Sequence, residues 1–126
     1  MTDGGLERAD ALLHDAFLTL SSIQLVDENL SVVGFTIQPA GLLRLGKFRA
    51  ELRIAGAASY EVFDEANVDQ IDVAEMTFSE GVLSIRGKMP IELRVHAARP
   101  LVEASISEVP FLTKRIGRWK TPAVHR

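Results

Sequence analysis

Three groups of residues have types and spacings that could do chemistry. The first is an acidic run, Glu61, Asp64, Glu65, Asp69, Asp72, Glu75 and Glu80, with no Lys or Arg between them. Clustered carboxylates are the raw material of a calcium loop. An EF-hand loop starting at Asp64 would end suitably at Glu75. It would also need glycine at its sixth position, where Asp69 stands, and oxygen donors where Ala66 and Val68 stand. The motif fails, so a solvated acidic loop is expected here and no metal site.

The second group is the histidines, His14, His96 and His125. His14 follows Asp10 by four residues on what reads as a polar helical face, so a surface ion pair is expected. His96 shares the polar side of a strand with Glu92 and Arg94, and His125 lies next to the terminus. No two have ligand spacing, and no G-x-S-x-G nucleophile accompanies them. The expectation is no catalytic residue, no cofactor and no enzyme. The repeated Glu-Leu-Arg triplets (Glu51–Arg53 and Glu92–Arg94) read as exposed strand pairs, each contributing about 0.2–1 kcal/mol.

The third group is the tail, VPFLTKRIGRWKTPAVHR. Phe111, Leu112, Ile116 and Trp119 are interleaved with Lys114, Arg115, Arg118 and Lys120, and no acid follows Thr113. Cations beside apolar groups suit an anionic membrane surface or an acidic protein. Lys114, Arg115, Arg118, Trp119 and Lys120 are therefore the expected membrane or partner contacts.

Bulk properties bound these readings. A chain of 126 residues, 47% apolar and 25% charged, fits one domain, 1–126, with a real core. The formal net charge of −3 argues against general nucleic-acid affinity. Without cysteine there is neither disulfide nor thiolate chemistry. The opening MTDGGLERAD lacks a basic region followed by an apolar one, so a cytoplasmic location is favoured. No apolar run is long enough for a transmembrane segment.

The elements that must position these residues are written partly in duplicate. At an offset of 41, Leu30–Ile54 lies over Ile71–Val95, with GKFRAELRI answering GKMPIELRV. The expected fold is α+β: an amphipathic helix within 1–22 packed on a curved antiparallel sheet. Two similar β-meander units, 30–63 and 71–107, build that sheet, and 110–126 is the tail. The helix stripe is Leu6, Ala9, Leu13, Ala16, Phe17 and Leu20. In the second unit, Ile91, Leu93 and Val95 alternate with polar residues. Parity there favours an odd Gly87-Lys88-Met89 loop that sets Leu83 across from Leu93 and Ile85 across from Ile91. The segment 63–71 is expected to form a helical turn. In GLLRL, Leu43 and Leu45 fall on the side that should be polar, so that face is expected to be covered by the N-terminal helix or by another subunit, with Leu43 and Leu45 as interface residues.

With helix and meander in place, GAASYEVFDEANV followed by GVLSIRGKMPIELRVHA resembles small bacterial phospholipid-binding domains of the TULIP type, of the LmeA-like kind, over roughly 30–109. PFLT (Pro110–Thr113) is also similar to a phrase of that group. The resemblance implies a helix set against a curved sheet with an apolar groove for lipid tails, and it transfers no site residue. The expected function is a non-enzymatic module binding a lipid or another apolar small molecule at a membrane surface. Ile37, Phe48, Leu52, Phe78, Leu83, Ile91 and Leu93 would be core or lining. The alternative is a protein–protein module or a subunit of a homo-oligomer. An internal cavity of several hundred Å3 would mark the first; a filled core with an exposed apolar patch would mark the second.

Overall fold

A computed structural model describes residues 3–115. Its elements are α1 (Asp3–Leu13), β1 (Phe17–Thr19), a 3-10 turn (Leu20–Ser22), β2 (Gln24–Val26), β3 (Asn29–Pro39) and β4 (Arg44–Ala55). There follow β5 (Ser59–Asp64), β6 (Gln70–Ser79), β7 (Val82–Gly87), β8 (Ile91–His96), β9 (Leu101–Ile106) and β10 (Leu112–Arg115). The architecture is α+β, one helix packed on a ten-stranded antiparallel sheet. Its order is β10-β4-β3-β1-β6-β7-β8-β5, with β2 beside β3 and β9 beside β4.

Alternation decides which side of each strand is buried. In β4, Phe48, Ala50, Leu52 and Ile54 point inward, while Arg49, Glu51 and Arg53 point out. Across from them in β3, Thr36, Gly34, Val32 and Leu30 also point inward. In the other half of the sheet, Leu83, Ile85, Ile91, Leu93 and Val95 take the inner face. Ala9 and Leu13 of α1 join Leu30, Val32, Ala50, Leu52, Ile54 and the inner residues of that second half in one core.

The helix is shorter than its apolar stripe suggests. It ends at Leu13, and Asp15 adopts a left-handed conformation at φ 70°. Phe17 then enters β1, and Leu20 enters the 3-10 turn. The backbone explains the change: the Asp15 N–H donates to the Val73 carbonyl, and the Val73 N–H donates to Ala16. Pairing with β6 takes the chain out of the helix, while Leu13, Ala16, Leu18 and Leu20 stay buried.

The two written copies fold differently. Thr36 lies across from Phe48, but its counterpart Thr77 lies across from Ser84. A bulge at Ala74 exchanges the faces of β6, so Ile71 and Val73 point inward before it and Met76 after it. Gly46 and Lys47 lie inside the continuous strand β4, whereas Gly87 closes β7 and Lys88 stands in the turn before β8. Pro90, where the first copy has Arg49, lacks the N–H that a continuous strand needs. The end strands also change places: β5 pairs with β8, and β9 pairs with β4.

Two local expectations need correction. Between β7 and β8 the register sets Leu83 across from Val95 and Ile85 across from Leu93. That is two residues from the expected register, and the apolar side is kept because the shift is even. The segment 63–71 contains a turn, not a helical one, between β5 and β6. Its Asp64 carboxylate accepts the N–H groups of Val68 and Asp69 and so holds the chain in a tight corner.

Gly34 marks the tightest crossing. A Cβ there would lie 1.7 Å from the Phe17 carbonyl oxygen, on backbone that cannot move aside. Gly34→Ala should therefore lower the stability to urea by about 3 kcal/mol or more. Unchanged unfolding by circular dichroism would show that β1 does not run against β3 at this point.

Candidate functional site

The far half of the β3–β4 hairpin projects beyond the strands that support its base. β1 pairs with Gly34 and Phe35, β2 with Asn29–Ser31, and β9 with residues 50–55. Past these points, among the described residues, β4 is accompanied by the connection 107–111, whose Ser107 and Phe111 N–H groups donate to the Arg49 and Lys47 carbonyls, and by β10 alongside residues 44–47. Four residues of β3, Thr36–Pro39, thus carry the turn about 13 Å beyond β1, at roughly 3.3 Å per residue. We call this three-stranded end the arm.

Its tip is closed by the Ala40 N–H donating to the Arg44 carbonyl at 3.0 Å. Leu42 is 90% exposed and Leu43 55% exposed. Leu43 also sits in the left-handed region at φ 57°, a conformation that costs a branched L-residue about 1–2 kcal/mol. A turn chosen for stability alone would put Gly or Asn there.

Apolar groups continue down the arm on more than one side. On the outer face Ile37, Leu45 and Leu112 border a groove of about 370 Å3, flanked by Lys47 and Lys114. Ile37 is 47% exposed on this face, so it belongs neither to the core nor to an interior lining. Val109 and Phe111, in the connection before β10, are exposed as well. That connection lies over the inner side of the arm, where a Cβ on Gly46 would come within 2.9 Å of Pro110. Gly46 thus serves a close approach within a strand and not a turn.

The charge around these groups has one dominant sign. No Asp or Glu occurs between Glu28 and Glu51, a stretch that holds Arg44, Lys47 and Arg49. Lys114 lies across from Leu45, and the Arg115 backbone lies across from Arg44. Glu108 is the acid of the connecting segment. Lys47 places its ammonium 4.6 Å from the centre of the Phe35 ring, and Phe35 stacks on Phe17 at 5.1 Å. This aromatic pair props up the base of the arm.

The remaining expected site residues fall elsewhere. Leu52, Leu83 and Leu93 are fully buried, Phe48 and Ile91 nearly so, and Phe78 is exposed at the end of a row beside Leu83. Arg118, Trp119 and Lys120 lie outside the described residues. Larger hollows of about 540 and 650 Å3 also open at the surface, the first edged by Glu51 and Arg53, the second by Phe63 and Arg94. Leu42 and the acid-free stretch around it are what sequence reasoning missed. The missing cue was an absence, the lack of carboxylates over two strands.

Polar clusters elsewhere are internal ties. His14 approaches Asp15 at 3.8 Å, where Asp10 was the expected partner, and His96 approaches Glu61 at 3.1 Å. Lys88 is hydrogen-bonded to Asp15, which holds that carboxyl below its usual range and raises the Lys88 ammonium. Among the described residues no three His, Asp or Glu side chains gather as a metal site, and no helix is long and apolar enough to cross a membrane. The chain matches no family model, no curated protein and no solved structure.

Asp64 supplies a test of the acidic corner. Hydrogen bonds from Val68 and Asp69 lower its pKa from the ordinary 3.8. A depressed carboxyl favours the folded state above its unfolded pKa and loses that effect as pH falls through the folded one. The urea midpoint of Asp64→Asn should therefore change less than that of the parent from about pH 5 to about pH 2. Identical pH profiles would contradict this role.

Proposed function

We propose that this chain is a non-enzymatic docking module that seats the end of its arm in an anionic lipid surface. The observation carrying this reading is the pair Leu42 and Leu43, held outward at a projecting turn within a collar of cations. A leucine moved from water into an apolar phase contributes about 1.5–3 kcal/mol. A cation brought near an anionic leaflet contributes about 1 kcal/mol. Arg44, Lys47 and Lys114 lie within a few residues of the tip along paired strands, and Arg49 stands across from Phe35 at the base of the arm.

The distribution of the apolar groups favours lipid over a protein partner. Ile37, Leu45 and Leu112 occupy one face, Leu42 and Leu43 the turn, and Val109 and Phe111 the flanking connection. A rigid partner meets one side of such an arm, whereas a fluid phase can surround it. The strain at Leu43 points the same way, because an apolar side chain is kept where a small or polar residue would relax the backbone.

An interior lipid groove, the route that the TULIP-type resemblance implies, is not adopted. The residues expected to line it, Leu52, Leu83 and Leu93, are packed into the core with no exposure. Leu43 and Leu45, first expected as interface residues, are assigned to the arm.

Co-sedimentation with vesicles tests the proposal. The chain should pellet with phosphatidylglycerol-containing vesicles at low salt, release at high salt, and ignore neutral phosphatidylcholine. Leu42→Asp should weaken the association at least about tenfold. Leu43→Asn should also weaken it while leaving stability equal or higher, because Asn accepts the left-handed conformation. Absence of low-salt binding, or equal binding to neutral vesicles, would refute the reading.

A further inference from the structure

We infer that two copies of the chain pair through strand β5, antiparallel, about a twofold axis at Val62. β5 ends the strand order, and among the described residues β8 is the one strand it pairs with. Five of its six residues are exposed and the sixth is half-buried. An edge of this kind presents unpaired N–H and C=O groups to any extended chain, and folds usually blunt it with charge, proline, a bulge or a cover.

The other edges are blunted. β10 is four residues long and contains Lys114 and Arg115. β9 is packed against α1, where a Cβ on Gly5 would lie 3.0 Å from the Val102 carbonyl oxygen. β2 has only three residues. β5, with sequence SYEVFD, has no Lys, Arg or Pro, and it pairs with β8 over six residues without a bulge.

The core itself stops short at this strand. On the inner face, one cross-strand row runs Phe78–Leu83–Val95–Tyr60, and the next runs Met76–Ile85–Leu93–Val62. The middle members are fully buried, yet Tyr60 and Val62 are 37% and 40% exposed because, among the described residues, no strand follows them. One more strand would continue both rows and cover both side chains.

Charge and symmetry indicate that this strand comes from a second copy. Both acids of β5 are already engaged within their own chain: Glu61 with His96 at 3.1 Å, and Asp64 with the N–H groups of Val68 and Asp69. Facing residues of a twofold antiparallel pair must point to the same side of the sheet, so the axis falls on a residue. Centred on Val62, the pairing sets Val62 against Val62, Tyr60 against Asp64 and Glu61 against Phe63. No carboxylate then opposes another. Centred on Glu61, it would set two glutamates face to face, which is unfavourable.

The absence of cysteine makes the test clean. Without lipid, sedimentation equilibrium should show a dimer, and Val62→Lys should shift it to monomer with unchanged circular dichroism. Under mild oxidation Val62→Cys should form a disulfide-linked dimer, since facing residues of a ladder stand within disulfide reach, whereas Glu61→Cys should not. A parent chain that is monomeric at all concentrations would overturn the inference. So would equal cross-linking at the two positions, or a dimer that Val62→Lys leaves intact. Vesicle binding through the arm is read separately, so either reading can fail alone.

Discussion

The fastening of β4 to its neighbours is the constraint on which the molecule rests. Eleven registered pairs join it to β3, and its other edge is shared between β9 and β10. Because side chains alternate, this register commits Phe48, Ala50, Leu52 and Ile54 to the interior and Arg49, Glu51 and Arg53 to water. A slip of one residue would reverse every one of these assignments, so the buried leucines and isoleucines hold the register as firmly as the backbone does. The helix, β1 and the second half of the sheet complete a core whose polarity β4 has already set.

The arm follows from the same strand pair. A hairpin longer than its supports must expose whatever its far end carries, and here that end carries leucine. For stability alone, this is the wrong residue in the wrong backbone conformation. The base is well held, with β1 crossing at Gly34 and the Phe17–Phe35 stack beside it, and farther out Pro110 rests on Gly46. A rigid base beneath an exposed apolar tip suits insertion into a surface, because little conformational freedom is lost on docking.

Much of the fold is legible in the sequence where one period acts alone. Strict alternation in 91–95 and 48–54 marks β8 and β4 with the inner side correctly given. The helix is less legible because Ala16, Phe17 and Leu20 keep a helical spacing while the chain, turned at Asp15, has left the helix to pair with β6. Similar wording around Gly46 and Gly87 also misleads. One glycine admits a neighbouring proline inside a strand, and the other precedes a turn that Pro90 enforces. A single extra residue at Ala74 is enough to set the faces of β6 against those of β3. The arm was visible only as a want of acids, since Leu42 has no periodic partner to mark it. What exposes it is how far β3 and β4 outrun β1 and β9, and that is a property of pairing.

The depth of Leu42 in a lipid surface is the quantity that decides the account. Since the chain has no cysteine, Leu42→Cys can carry one polarity-sensitive fluorophore at the tip. With phosphatidylglycerol-containing vesicles its emission should shift to the blue and be quenched by brominated acyl chains. The same label at Val26, on the short strand β2, should report only water. An emission at position 42 that stays water-like while the protein is bound would contradict the central claim.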